Sequence, residues 1–362
     1  MKPSHVILYH YLVPFLEPVR VRGRRLTERQ GLVFALLDAA GERVAYGEVA
    51  PLPGLHRETL EQAEAQLTEV LSRRIIGGDT AVSCLLPEGL FPSVRTGIEM
   101  ALLNGEALGS GRFPSCSLDA RPAGRGVPLN ALLSGSTDRV MEMAEERFDD
   151  GYRTFKLKVD AATAAVAVES VTALHERFGK DVSLRLDANQ SFGFDEALAF
   201  ARALPDGSVS FVEEPLREPE RVGEFHAQSG VRVALDESLW LVPGLVERVP
   251  AGAVAALVLK PNCLGGIAAS LRLVSLARAN GWMAVFSSAF ESGISLGFYA
   301  SLAASTGMEP VACGLDTYRW LSHDLLPEPI GVEDGMLDHA ALYLRGRTPD
   351  LSSMKRRSVW TI

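Results

Sequence analysis

Lysine is scarce: the 362 residues hold six, against thirty arginines, so a lysine inside an apolar strand stands apart from a surface built with arginine. The four cysteines, Cys84, Cys116, Cys263 and Cys313, form no CxxC pair and show no metal-ligand spacing. That excludes a disulfide framework or a zinc ribbon and leaves reduced thiols in a cytoplasmic protein. Seven histidines contain no HxH or HExxH, and no GxGxxG follows a strand, so neither histidine-based metal chemistry nor a dinucleotide cofactor is indicated. The longest apolar run, AGAVAALVL at 251–259, is too short to span a bilayer, and Pro14 and Pro18 interrupt the N-terminal stretch where a signal peptide would need continuous apolar residues. A net charge of −9 and a pI of about 5.4 argue against nucleic acid or an anionic membrane surface as partner. The expectation is a soluble cytoplasmic protein, monomer or homo-oligomer, acting on a small molecule.

What is present is a globular composition, 47% apolar and 22% charged, at a length that suits one large domain with a smaller one. Between residues 154 and 314 the runs TFKLKV, VSLRLD, VSFVEE, VRVALDE, ALVLK and WMAVFSS end at or near Lys158, Asp187, Glu213, Asp236, Lys260 and Ser287, in steps of 29, 26, 23, 24 and 27 residues. A strand, a helix and two loops consume about that much chain, so the six residues are expected on one rim of a parallel barrel. VPLNALL precedes the series and VACGLDT closes it. The first hundred residues read as a separate α+β unit of three strands and two helices, the first helix starting near Glu58 and Thr59. The Gly-, Pro- and Ser-rich stretch 110–126 reads as the linker, with the boundary near Gly126. After Thr317 the pattern turns irregular, and the tail is expected to pack back on the N-terminal unit.

Asp187, Glu213 and Asp236 end three consecutive strands, so they are expected to converge at the C-terminal mouth where barrel enzymes keep their sites. Three close carboxylates repel one another unless a cation neutralises them, and oxygen-only ligation favours a hard ion such as Mg²⁺. A lone strand-end acid is an ordinary helix cap, but three in phase with the repeat are not. Three of the six lysines, Lys156, Lys158 and Lys260, also lie in these strands. Lys156 and Lys158 share one face, with Lys260 across the mouth. A partly desolvated lysine beside another cation has its pKa lowered and serves as a general base near neutral pH. Carboxylates for a cation and lysines on both sides together suit proton abstraction next to a carboxylate, where negative charge develops on an enediolate.

The motifs Lys-x-Lys in TFKLKV, Asp in RLDANQ, Glu in VEEP, Asp in ALDES and Lys in VLKPN, in this order, resemble the enolase superfamily. GEVAPLPGLHRETLEQA, SSAFESGISLGFYASLA and CGLDT narrow the resemblance to its o-succinylbenzoate synthase family, in the muconate-lactonizing-like subgroup. The resemblance runs over nearly the whole chain. It implies a modified TIM barrel, (β/α)₇β, over 126–317, under an α+β capping domain of 1–125 completed by the tail 318–362. It implies Asp187, Glu213 and Asp236 as ligands of Mg²⁺, with Mn²⁺ as a substitute. Lys158 matches the base, Lys260 the lysine on the other face of a dianionic carboxylate substrate, and Lys156 a neighbour that tunes Lys158. The family reaction is loss of water from 2-succinyl-6-hydroxy-2,4-cyclohexadiene-1-carboxylate to give o-succinylbenzoate, a step of menaquinone biosynthesis.

Ser287, Ser288 and Gly314 resemble positions that hold the succinyl carboxylate through backbone groups; turn chemistry and close packing explain them equally well. Arg185, two residues before Asp187, is expected to face the barrel interior and to pair with the carboxylates or touch substrate. The loop 20–30 and the GEVAPLPG loop look like capping loops, and Arg22, Arg24 and Arg25 read as a solvated basic stretch. Lysines on both faces equally suit an N-succinylamino acid racemase or another racemase or epimerase of the superfamily, although GLDT lacks the paired acids of the dipeptide epimerases. Gly293-Ile-Ser295-Leu-Gly297 matches G-x-S-x-G, with Asp316 and His323 downstream, but a nucleophile elbow needs its serine at the strand-to-helix turn, and the strand here ends several residues earlier.

Overall fold

Alternating apolar residues in the first fifty positions give strands whose two faces both find cover. In the computed structural model, which describes residues 4–72, 86–107, 113 and 126–361, β1 (His5–Val21), β2 (Arg24–Leu37) and β3 (Arg43–Val49) form an antiparallel sheet. Cys84, Cys116 and most of the expected linker lie outside the described residues. One face of the sheet, with Val6, Leu8, Leu32, Phe34 and Leu36, packs under two helices, Leu60–Val70 and Pro92–Ala107. Tyr9, Tyr11, Val13, Phe15 and Val33 on the other face join the main core. Thr59 caps the first helix in a capping box with Gln62. The second lies close on the sheet because Gly47 and Gly97 meet there: a Cβ on Gly47 would stand 2.2 Å from the Gly97 carbonyl oxygen.

β4 (Gly126–Pro128) and β5 (Ala131–Leu133) split VPLNALL, which the sequence suggests as one strand. β5 then opens a parallel series: β6 (Thr154–Lys158), β7 (Ser183–Asp187), β8 (Phe211–Glu213), β9 (Val233–Leu235), β10 (Val254–Leu259) and β11 (Met283–Phe286). Their spatial order is the chain order, as successive right-handed crossovers produce. All six residues of β10 are buried, the mark of a parallel strand covered on both faces. The VACGLDT segment forms no full strand. It makes two isolated parallel bridges, Leu129 with Cys313 and Ser287 with Gly314, which link the ends of the series.

Helices follow most strands, and Ser136 caps Thr137–Asp149. After β9 the expected helix shrinks to Ser238–Leu241 and Leu245–Arg248, because Pro243 and Pro250 interrupt it. The chain beyond residue 317 is more ordered than its composition suggests. β12 (Val332–Glu333) and β13 (Met336–Asp338) pair with β4, and the helix His339–Gly346 packs on the helix Gly293–Ala304. β14 (Lys355–Thr361) then pairs antiparallel with β1 at the edge of the N-terminal sheet.

Candidate active site

Parallel register fixes which strand-end residues meet. Lys156 lies opposite Arg185 and Lys158 opposite Asp187; Asp187 in turn lies opposite Glu213. Asp236 stands at the end of β9 and Lys260 at the end of β10. The Lys158 ammonium lies 2.6 Å from Asp187 Oδ2 and 2.6 Å from Asn189 Oδ1, and its side chain is 39% exposed toward the open end. Lys156, one layer deeper, bridges Asp187 and Glu213 at 2.8 Å each. Lys260 pairs with Asp236, with its ammonium 5.8 Å from the Trp240 ring centroid.

The charges are interdependent. Burial opposes ionisation of Asp187, but Lys156 and Lys158 outweigh it and hold the carboxyl well below its usual range. Glu213 goes the other way: burial, then the charges of Asp187 and Asp236, push it up to about 7. Burial also raises Asp236. Lysines beside a cation are expected to have lowered pKa values, yet Lys156 and Lys260 lie above theirs. Burial pulls both down, but Asp187 and Glu213 around Lys156, and Asp236, Glu213 and Glu237 around Lys260, overcome it.

Among the described residues no three acidic, histidine or cysteine side chains stand close enough to form a ready metal-ligand group. The ammonium groups occupy the space between the acids: Lys156 spans Asp187 and Glu213, and Lys260 covers one oxygen of Asp236. The donor set nevertheless fits a hard divalent cation. Asp187, Glu213 and Asp236 are all buried, Asp236 Oδ1 has no hydrogen-bond partner, and burial with the charges of Asp187 and Asp236 raises Glu213, which a cation among the three would relieve.

Four further residues build the rim. Glu214 is buried, and its Oε1 accepts the backbone N–H groups of Asp236 (2.7 Å) and Ser238 (2.8 Å), while Gln190 donates to Oε2 at 3.0 Å. It thereby fixes the turn that carries Asp236. Asn189, at φ 42°, and Glu214, at φ 43°, hold left-handed backbone at strand ends, where strain of this kind clusters in functional sites. Glu237, beside Asp236, pairs at 3.4 Å with Arg22 from the β1–β2 hairpin, so one of the basic residues read as solvated instead meets the mouth. The signals were the second acid of VEEP, the Asn of DANQ and the second acid of LDES, each adjacent or nearly so to a strand-end residue.

Arg185 makes no ion pair among the described residues. Buried below the carboxylates, it donates to the Ala312 carbonyl at 2.7 Å and lies over the Phe211 ring. Ser287 and Ser288 are buried at the end of β11, and both hydroxyls donate to the Gly314 carbonyl at 3.2 Å. Gly314 has no room for a side chain: a Cβ would stand 2.6 Å from Ser287 Oγ. Ser295 lies inside the helix Gly293–Ala304 and donates to Glu48 at 2.6 Å; Asp316 pairs with Arg319, so no hydrolase triad assembles. Buried Glu48 reaches from β3 to the start of that helix and accepts from the Ser292 and Ser295 N–H groups and from Tyr11. Asp324 accepts from the Gly293 N–H. This helix N-terminus is thus filled by the protein's own carboxylates.

No helix among the described residues is long and apolar enough to cross a membrane. Residues 139–341 match the family described as enolase C-terminal domain-like, and residues 3–105 match the MenC N-terminal domain. The o-succinylbenzoate synthase of Pectobacterium atrosepticum is 34% identical over 315 residues, covering 86% of this chain and 90% of that protein. Protein PHYLLO, chloroplastic, of Arabidopsis thaliana is 30% identical over 84% of this chain, which spans 20% of that protein's length. Among solved structures, MenC from Desulfotalea psychrophila superposes with a TM-score of 0.73 at 23% identity, covering 92% of this chain and 99% of that one. An enolase-superfamily member from Roseovarius nubinhibens complexed with magnesium gives 0.80 at 17%, covering 99% of both chains. The N-succinyl Arg/Lys racemase of Bacillus cereus gives 0.78 at 18%, covering 93% of this chain and 92% of that one.

Proposed function

The chain belongs to the enolase superfamily and, within it, to the o-succinylbenzoate synthases, a family of carbon–oxygen lyases, and on that footing we propose that it dehydrates 2-succinyl-6-hydroxy-2,4-cyclohexadiene-1-carboxylate to o-succinylbenzoate. The observation that carries the proposal is the placement of Lys158: half-open to the mouth of the barrel, fixed by Asp187 and Asn189, with Lys260 on the far side of the same mouth. On this reading the N-terminal unit of 1–125 with the tail 318–362 caps a (β/α)₇β barrel of 126–317, in which the bridges of Cys313 and Gly314 take the eighth position.

Lys158 removes the proton from the carbon that bears the ring carboxylate. The electron pair first spreads into that carboxylate, then forms the new ring double bond as the hydroxyl leaves with the proton that Lys158 returns, so that water and the aromatic product separate. Lys260 faces the substrate from the other side and opposes the developing negative charge. Lys156, between Asp187 and Glu213, sets the charge beneath Lys158. Asp187, Glu213 and Asp236 would hold Mg²⁺, or Mn²⁺ in its place, which supplies a Lewis acid for the substrate carboxylate. Glu214 keeps the Asp236 turn in place for that purpose. Ser287, Ser288 and Gly314 shape the place for the succinyl arm at the end of β11. Free, buried Cys263 and Cys313 suit a reducing cytoplasm.

Lysines on opposite sides also favour a second reading, N-succinylamino acid racemisation, in which each lysine handles the proton of one enantiomer. Incubation with the cyclohexadiene and, separately, with one enantiomer of an N-succinylamino acid in D₂O tests both. Formation of o-succinylbenzoate supports the dehydratase. Deuterium at Cα of the amino acid without any aromatic product moves the function to the racemase.

A further inference from the structure

His56 is a half-buried titratable residue that neither the metal-ligand set nor the lysines employ. It belongs to the N-terminal unit, in the loop after β3, yet its partners lie on both sides of the boundary with the barrel. Its Nδ1 accepts the Leu52 N–H at 2.9 Å, which fixes the proton on Nε2, and Nε2 donates to the Asn262 carbonyl at 2.9 Å. Burial holds the ring below its ordinary pKa, in keeping with this neutral tautomer. Asn262 answers in the other direction, with its side-chain amide donating to the Ala50 carbonyl at 2.7 Å. Asn262 is two residues beyond Lys260, in the helical turn Pro261–Leu264 that begins where β10 stops. Thr96 of the N-terminal unit holds the same turn through the Pro261 carbonyl at 2.8 Å.

The Cys263 thiol lies 3.6 Å from His56 Nε2, but that nitrogen carries the proton given to Asn262, and burial pushes the thiol well up. The pair is therefore no thiolate–imidazolium nucleophile.

From this geometry we infer that His56 is a positioning residue for Lys260. The loop Ala50–His56 and the turn after Lys260 are tied by two reciprocal hydrogen bonds, so the N-terminal unit sets where the Lys260 ammonium stands in the mouth. The inference rests on the proposed role of Lys260 opposite Lys158. A cation that acts on charge developing in the reaction, and not on substrate capture, gives its positioning residue a kinetic signature in kcat.

His56→Asn keeps an acceptor for the Leu52 N–H but cannot reach Asn262; His56→Gln can restore the donation to Asn262. The expected result is a fall in kcat of about tenfold for H56N with KM within about twofold, and recovery to within about threefold of wild type in H56Q. Amide hydrogen exchange of the full-length protein, read by mass spectrometry, should rise across 260–264 in H56N and stay unchanged across 183–187. Asn262→Ala removes the second hydrogen bond, from the side-chain amide to the Ala50 carbonyl, while keeping the backbone carbonyl that His56 meets, and should also raise exchange across 260–264, which keeps the test open if H56N does not fold. Unchanged exchange across 260–264 in both variants overturns the inference whatever the enzyme's substrate proves to be. So does a loss confined to KM, or a kcat in H56Q no better than in H56N. If wild-type protein turns over no cyclohexadiene, the function reading fails, and the exchange result alone decides the bridge.

Discussion

Lys158 and Asp187 are register partners at the adjoining ends of β6 and β7, and the ammonium of one lies 2.6 Å from the carboxylate of the other. Asp187 is buried and has Lys156 as a second cation, so the acid stays charged when Lys158 is removed. Lys158→Ala should therefore lower kcat by at least about a thousandfold while Mg²⁺ binding, followed by calorimetry, is retained. Near-normal turnover in that variant would remove Lys158 from its role.

Lys260→Ala has a different expected outcome. Asp236 is buried with one oxygen already unpartnered, and Lys260 is its cation. Removing one partner of a buried pair leaves an uncompensated charge, at a cost of about 3–5 kcal/mol. Thermal unfolding of the metal-free variant should show that loss, and saturating Mg²⁺ should restore much of it while turnover stays low. A variant as stable as wild type without metal would contradict the pairing.

Glu213 and Glu214 are both pushed up to about 7, each by burial first, with Asp187 and Asp236 adding to the effect on Glu213. A carboxyl whose folded pKa is raised contributes stability that is complete below its ordinary value and is lost as pH rises through the raised one. Metal-free protein should therefore lose stability between pH of about 5 and about 8. Mg²⁺ should flatten that decline, and its binding near pH 6 should release protons. Denaturant titrations at a series of pH values, with and without Mg²⁺, measure this; a metal-free protein that gains stability across the same window would refute it.

The six strand ends were legible because parallel strands buried on both faces are largely apolar runs that stop at a polar residue, as VAALVL stops at Lys260. Pairing across the sheet was not. The two-strand split at Leu129 and Asn130, the bridges of Cys313 and Gly314, and the reach of Arg22 to Glu237 depend on contacts between residues far apart in the chain. The clearest case is Glu48, which accepts from a serine N–H 244 positions later. In the sequence it is one acid in GEVAP, and only the packing of β3 against the start of the helix Gly293–Ala304 gives it partners.

Glu48 also yields a prediction. Glu48→Gln preserves size but turns an amide N–H toward donors that now find a carboxylate, Ser292 N–H among them. Leaving such donors unpaired costs about 1–3 kcal/mol. The melting temperature should fall by a few degrees (about 1–2 °C per kcal/mol for a chain this long). An unaltered melting curve would show that this contact between the two units carries no stability.

The most direct measurement is the initial rate at which the cyclohexadiene absorbance is lost on adding purified protein with Mg²⁺, after chelation with EDTA, and after Mg²⁺ is restored. Rapid conversion to o-succinylbenzoate that stops with EDTA and returns with Mg²⁺ is the result expected of Lys158 and the three carboxylates acting as described. No conversion by folded protein that demonstrably binds Mg²⁺ would contradict the proposed dehydration.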